Sequence, residues 1–507
     1  MGRGFDSMIT PSPSVDVCII LEGTYPYVTG GVSEWTHNLI NAQKDISFHI
    51  AAVLHRKMDL TMKYKLPENV KGITNIFIQD FQHGDSSFKH IKEILHQLEE
   101  PLLNLQTNGG LPEIHRIINI IKPYRQKLGI ELLLNSLPAW EMLLRMYNKS
   151  YPETSFLDYF WTWRALLGGL YSILMAQMPM ANVYHSISTG FAGLFASRAY
   201  LETGRPVLLT EHGIYTNERR IELEMADWLF ETPLTVLSID KPNKELRNLW
   251  INTFIGYSMA CYEACSKIIA LYEGNQQIQI EDGAAPERLE VIPNGVEFDH
   301  YAAIKREDIS QPVIAFIGRV VPIKDLKTFI RSCAIILERM PDTKVFIIGP
   351  TDEGEDYFKE CKEMLNYLGL EKGVTFTGRV KIEEYLHLIK VNVLTSISEA
   401  MPLTILEAGA AGIPTVATDV GACKEMILGS IREEPKLAPG GAITPLSSPT
   451  ATAHAVLELL TNGEWYKRCS HAIQERVRLY YNKANIDMTY RNLYKKYISM
   501  ADLGRNI

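Results

Sequence analysis

The chain has 507 residues, of which 46% are hydrophobic, 22% charged and 9% aromatic. These values exclude a disordered, collagen-like or coiled-coil protein and leave room for two or three domains. A net charge of −8 argues against a dedicated nucleic-acid binder, which needs a basic footprint, and against a protein held on anionic membrane by charge alone.

The N-terminal MGRGFDSMITPSPSVDV has no apolar run of the kind a signal peptide needs. Val15–Leu21 then reads as a buried strand, followed by strands at Phe48–Leu54 and Asn75–Ile78. Between about 85 and 180 the periodicity turns helical, over Ile91–Leu98, Ile114–Ile121, Ile130–Met146 and Tyr159–Met175. The most apolar stretch, Ala165–Ala176, is too short to span a bilayer. The expectation is a soluble, cytoplasmic protein. Strands return at Asn182–Ile187, Pro206–Thr210, Lys267–Leu271 and Leu289–Ile292, and Pro293–Pro312 reads as a linker. Beyond it, strands at Val313–Ile317, Lys344–Ile348, Val374–Thr377, Val391–Thr395 and Pro414–Ala417 alternate with helices at Asp325–Arg339, Asp356–Leu368, Ile382–Leu388 and Leu403–Ala411. Continuous apolar strands alternating with helices imply parallel sheets covered on both faces. The fold class is therefore α/β, with two Rossmann-like domains. Residues 1–300 form the first, with a helical insertion over about 85–180, completed by the C-terminal helix in 476–507. Residues 301–475 form the second. The seven cysteines are scattered, as reduced thiols are in a cytoplasmic protein. The one close pair, Cys261 and Cys265, has no second pair to complete a zinc site.

Five segments carry chemistry. In Ser396-Ile-Ser-Glu399-Ala-Met-Pro402-Leu403-Thr404-Ile-Leu-Glu407, a strand ends, a loop follows and Pro402 stands where a helix can begin. The free N–H groups near Leu403 and Thr404 and the positive end of the helix dipole suit a diphosphate. Glu399 and Glu407 flank that N-terminus, and carboxylates accept sugar hydroxyls well, although two glutamates at this spacing are common by chance. Gly318-Arg319-Val-Val-Pro-Ile-Lys324 puts two cations at a strand's carboxyl end, where ligands bind in open α/β sheets; isolated, they would read as solvated surface charges. Asn294-Gly295 reads as turn punctuation. Gly30-Gly31, between the first strand and the first helix, lets backbone approach a ligand. His185 and His212 each follow a strand, a placement that points to a cleft although a lone histidine is more often structural. No GxGxxG, Walker sequence, D-x-D pair, HExxH or CxxC set occurs, so dehydrogenase, P-loop and metal chemistry are not implied.

The set VIPNGV at 291–296, GRVVPIK at 318–324, FTGRV at 376–380 and SEAMPLTILEAGAAGIPTVATDVG at 398–421 resembles glycosyltransferase family 4. Those enzymes are retaining and have the GT-B fold, two Rossmann-like domains facing across a cleft. LEGTYPYVTGGVSEW, YHSISTGFAG and TEHGIYTNER extend the similarity to the PelF-type enzymes of bacterial Pel exopolysaccharide synthesis. The resemblance implies a UDP-sugar donor, UDP-glucose favoured, a glycan acceptor, no cofactor and no divalent metal, and inner-membrane polysaccharide synthase subunits as partners. It implies that Arg319 and Lys324 bind the diphosphate, Glu407 the ribose and Glu399 the donor sugar. Backbone at Leu403 and Thr404 binds phosphate or sugar, and Gly30 and Gly31 let their loop close over the phosphates. The family's catalytic histidine corresponds to His212 or His185; where the family commonly has a double histidine, this chain has Glu211-His212. The alternatives are a GT-B epimerase or phosphorylase, or a non-catalytic sugar-nucleotide-binding subunit.

Overall fold

The computed structural model describes residues 15–55, 60–78, 84–85, 87–107, 109–219, 244–306 and 311–503. The segment ahead of Val15, positions 307–310 of the expected linker and the last four residues of the tail lie outside these. Two compact units are present. The first takes in the chain up to Ala270, with Gln276–Glu290 and the tail from Tyr490; the second takes in Leu271–Asn275 and Val291–Thr489.

The first unit carries Val15–Glu22 (β1), Phe48–Leu54 (β2), Val70–Phe77 (β3), Ala181–Ser186 (β4), Val207–Glu211 (β5), Lys267–Ala270 (β6) and Leu289–Val291 (β7), in the order β3-β2-β1-β4-β5-β6-β7. β1 to β6 pair in parallel. Both sheet faces are covered, which is why β1 is apolar at consecutive positions: Val17 to Leu21 are each at most 1% exposed. The order reverses between β1 and β4, and the crossover from β3 to β4 holds the helical stretch. Its helices Ile91–Leu105, Leu111–Ile121, Ile130–Asn135, Leu137–Ser150 and Phe156–Met175 bury Leu98, Ile117, Met142, Met146 and Trp163 in one core. The single helix expected over 130–146 is two. Ser136 ends the first and caps the second, its hydroxyl accepting from Ala139 N at 3.3 Å, and Pro138 sits in the first turn, where it needs no N–H partner.

The second unit carries Val313–Ile317 (β8), Lys344–Ile348 (β9), Val374–Gly378 (β10), Val391–Leu394 (β11), Thr415–Thr418 (β12) and Gly441–Thr444 (β13), all parallel, in the order β10-β9-β8-β11-β12-β13. Its order reverses between β8 and β11. β13 escapes sequence reading because it is four residues long and starts on Gly441, whose Cβ would lie 1.9 Å from the Thr415 carbonyl oxygen.

The unit boundaries differ from those expected at 300 and 475. Val296 N donates to Tyr481 O and Lys483 N to Val296 O, each at 2.9 Å, so the start of the expected linker is bound into the second unit. Gly295 is required there, since a Cβ would come within 2.6 Å of Lys483 Cα; Asn294-Gly295 is a close backbone approach as well as a turn. The helix Gly463–Tyr480 lays Ile473 and Val477 on Gly409, so it too belongs to the second unit. From Tyr490 the following helix, Lys483–Leu503, belongs to the first unit, where Tyr490 and Tyr494 are buried. All seven cysteines are buried free thiols, with Cys261 and Cys265 sulfurs 3.9 Å apart. No helix among the described residues is long and apolar enough to cross a membrane.

Candidate active site

In the second unit the loops after β8 and β11 meet where the strand order reverses, the place an open α/β sheet offers a ligand. Gly318 N donates to Ile348 O at 2.9 Å. Gly349, at φ 147°, brings its backbone so close that a Cβ would lie 2.1 Å from the Gly318 carbonyl oxygen. The β8 loop closes in a 3₁₀ turn, Pro322–Lys324, and Asp325 follows at φ 43°. A non-glycine residue in that region is strained. The cap it forms offsets the strain: its carboxylate accepts from Thr328 N at 3.2 Å and Thr328 Oγ1 at 2.6 Å, starting the helix Leu326–Arg339. The β11 loop is stitched to this turn by Ile397 N to Ile323 O, 2.8 Å, and Thr395 Oγ1 to Asp325 O, 2.9 Å.

That stitching brings Lys324 onto Glu399. The two side chains, 17% and 10% exposed, form an ion pair, and Ser396 Oγ donates to the same carboxylate oxygen at 2.6 Å. Gly421, at φ 50°, presses against this loop from β12, leaving 2.1 Å between a would-be Cβ and the Glu399 carbonyl oxygen. Arg319, 55% exposed, projects from the same β8 loop and pairs with Glu353 at 2.6 Å. The helix Leu403–Ala410 starts after Pro402 with no side-chain cap. Leu403 is exposed, and the buried Thr404 hydroxyl has no hydrogen-bond partner among the described residues. Glu407, half-buried one turn further on, accepts from Tyr301 Oη at 3.4 Å. The structure thus brings Lys324, Glu399 and the uncapped helix start into one neighbourhood. It also shows Glu353, which sequence reading missed because a glutamate in a strand–helix loop carries no motif.

In the first unit the two histidines part company. His185 is fully enclosed, Nδ1 2.7 Å from Tyr494 Oη and Nε2 2.9 Å from Thr210 Oγ1. Burial, with His212 adding to it, pulls its pKa down to about 3. With both nitrogens engaged and the ring buried, His185 is placed as a structural residue would be. His212 is partly exposed and stands edge-on to Trp35, ring centroids 4.5 Å apart. Its Nε2 is itself buried and has no partner among the described residues, and burial holds its pKa down to about 4. It is therefore neutral at ordinary pH. Its neighbour Glu211 is buried and points elsewhere, accepting from Tyr262 Oη at 2.8 Å, Gln279 Nε2 at 2.9 Å and Thr189 Oγ1 at 3.2 Å; burial raises its pKa.

At this unit's own reversal point, Glu22 ends β1 and takes up the N-terminus of the helix Gly190–Thr203, accepting from Phe191 N at 2.9 Å and Ala192 N at 3.4 Å. Tyr215 Oη donates to it at 2.7 Å and Arg219 lies 3.6 Å away. Burial raises the Glu22 pKa against these partners. Gly30 and Gly31 are exposed, Gly30 is in extended backbone, and a Cβ at either would meet nothing. The fold itself does not demand glycine at these two positions. Among the described residues, no three His, Cys, Asp or Glu side chains gather as metal ligands would.

Comparison with known proteins bears on both units. A family model described as "Domain of unknown function (DUF3492)" matches residues 15–287, and one described as "Glycosyl transferases group 1" matches residues 311–462. The D-inositol 3-phosphate glycosyltransferase of Nocardia farcinica is 29% identical over 181 residues, covering 33% of this chain and 40% of the relative. A UDP-Gal:alpha-D-GlcNAc-diphosphoundecaprenol alpha-1,3-galactosyltransferase of Escherichia coli is 26% identical over 266 residues, covering 50% of this chain and 60% of the relative. The matches thus span less than two thirds of either relative. Among solved structures, Anabaena HepE in complex with UDP and glucose aligns with a TM-score of 0.54 at 14% identity, over 95% of this chain and all of that one. Sucrose-phosphate synthase of Thermosynechococcus elongatus aligns with a TM-score of 0.56 at 14% identity, over 96% of this chain and all of that one. At such identity these likenesses show the fold, two parallel-sheet Rossmann-like domains of the GT-B type.

Proposed function

Because the chain belongs to the DUF3492 family and carries a group 1 glycosyltransferase domain in its C-terminal half, we propose that it is a retaining glycosyltransferase. It moves a hexose or N-acetylhexosamine from a UDP-sugar, UDP-glucose favoured, to a glycan hydroxyl in synthesis of Pel-type bacterial exopolysaccharide. In this reading it works in the cytoplasm beside inner-membrane synthase subunits. The observation that carries the reading is the uncapped start of the helix Leu403–Ala410, set beside a loop bearing two cations at the β8/β11 reversal. That is a site for a diphosphate. UDP as the nucleotide is supported by the HepE complex, whose description names UDP, and by the E. coli relative, whose name specifies UDP-Gal. The Pel assignment is supported by the LEGTYPYVTGGVSEW, YHSISTGFAG and TEHGIYTNER segments.

In this mechanism Arg319, Lys324 and the N–H groups of Leu403 and Thr404 bind the diphosphate. Glu407 accepts the ribose hydroxyls. Glu399, steadied by Ser396 and Lys324, accepts hydroxyls of the donor sugar. The acceptor oxygen attacks the anomeric carbon on the face from which UDP departs. The carbon–oxygen bond to UDP breaks, and a diphosphate oxygen takes the acceptor proton, which leaves UDP and a glycoside of unchanged anomeric configuration. The cations and helix start stabilise charge as it builds on the leaving group. His212, neutral and with an unpartnered Nε2, takes the place of the family's histidine, and the open backbone at Gly30 and Gly31 gives a phosphate room to approach. Calorimetric titration with UDP, GDP and ADP, with and without a chelator, tests the donor. UDP binding that survives chelation is expected. Preference for another nucleotide would overturn the donor assignment, and binding lost on chelation would overturn metal independence.

A further inference from the structure

The two cations of the proposed diphosphate site are both paired with carboxylates, and the two pairs are built differently. Glu399 is 10% exposed, anchored by Ser396 Oγ and carried on a loop stitched to the Lys324 turn. Glu353 is 43% exposed, and Arg319 is the one partner the structure gives it among the described residues. It sits on the β9 loop just ahead of Gly354, whose tight seating on the Val320 carbonyl, 2.9 Å from a would-be Cβ, holds that loop against the Arg319 loop. Backbone fixes the two loops to one another, while only an exposed ion pair holds the side chains.

We propose that Glu353 is an exchangeable counter-anion of the donor site. Its carboxylate occupies Arg319 when no nucleotide is bound, gives way to the diphosphate on binding, and recaptures the guanidinium as UDP leaves. A carboxylate and a diphosphate compete for the same fork of donors, and Arg319 cannot serve both fully. Glu353 therefore weakens UDP binding by the strength of the pair it forms and speeds release of the product. The inference rests on the donor site proposed above.

For an exposed pair, neutralising Glu353 should tighten UDP binding by about 1.5- to 5-fold. The test titrates UDP into wild type, Glu353→Gln, Glu353→Ala, Arg319→Ala and the double variant Arg319→Ala/Glu353→Gln, with melting temperatures for each. The expected result is tighter binding in both Glu353 variants, weaker binding in Arg319→Ala, and no effect of Glu353→Gln once Arg319 is gone. Stronger product inhibition by UDP should accompany the tighter binding. If Arg319→Ala weakens UDP and the Glu353 variants do not tighten it, the counter-anion role is overturned and the donor site stands. If the Glu353 effect persists without Arg319, the role is likewise overturned. Arg319→Ala that leaves UDP affinity unchanged overturns the donor site, and the inference with it.

Discussion

The two sheets reverse their strand order in the same way, and the chain treats the two reversal points oppositely. In the first unit the helix that starts there is already supplied with an anion of its own: Glu22 accepts two backbone N–H groups of the helix Gly190–Thr203 and the Tyr215 hydroxyl. In the second unit Glu399, on the loop that leads from β11 into the helix Leu403–Ala410, is turned onto Lys324, and that helix starts without a side-chain cap. The first arrangement uses the helix dipole for stability. In the function proposed above, the second leaves it for the donor's diphosphate. A shared topology thus presents two helix starts, and side chains decide which of them is already satisfied from within the chain.

The comparison is broken first at Lys324. Lys324→Ala should cost about 1.5–3 kcal/mol of UDP binding, roughly 10- to 150-fold, with a larger loss in transfer. Calorimetry and UDP-release assays read the two, and an unchanged UDP affinity would put the nucleotide elsewhere. His212→Ala should lower turnover by about 100-fold while UDP affinity holds; the reverse pattern would mean that His212 serves the nucleotide. Glu22→Ala should do neither. It should cost about 1–3 kcal/mol of stability by orphaning two N–H groups and a hydroxyl, and leave UDP affinity alone. Urea unfolding measures the first, and a matching loss of UDP affinity would erase the contrast between the reversal points.

A smaller effect is visible in pH. His185 has its pKa held down to about 3 by burial, whereas an unfolded histidine titrates near 6.5. Between these values the unfolded chain binds a proton that the native state refuses, so stability falls as pH falls through this window. Glu22 and Glu211, with raised pKa values, act in the opposite sense, so the comparison must be made against a variant. His185→Asn should flatten the slope between pH 6 and 4 by up to about 1.4 kcal/mol per pH unit; an unaltered slope would mean that His185 is charged in the folded protein. Smallest of all, Gly31→Ala should change stability by no more than about 0.5 kcal/mol, because its Cβ meets nothing. It should nevertheless raise the KM for UDP-glucose. An unchanged KM would leave that glycine without a ligand to accommodate.

What could be read in advance follows from how local the signal is. The strands of the second unit announce themselves because double-sided burial makes every position apolar, and Pro402 marks the helix start behind its own strand. β3 was recognisable only from Asn75, because Val70-Lys-Gly-Ile-Thr74 offers no continuous apolar run and only Ile76 of the strand is buried. That His185 is enclosed was not legible, since Tyr494, its hydrogen-bond partner, lies 309 positions away. Glu353 was hidden for the same reason. Its meaning comes from Arg319, a neighbour only through the pairing of β8 with β9.

Tyr490 and Tyr494 have a consequence for how the molecule is made. Tyr490 Oη stands 3.1 Å from Thr210 Oγ1 and Tyr494 fills the space beside His185 and Phe48. The first unit therefore receives part of its interior only after the whole of the second unit has been translated. While the ribosome is still adding the second unit, the nascent first unit has a gap where those two rings belong, and the apolar groups around it stay wet. The residues of the second unit all precede Tyr490. In this chain the half that is synthesised first is the half whose interior is completed last.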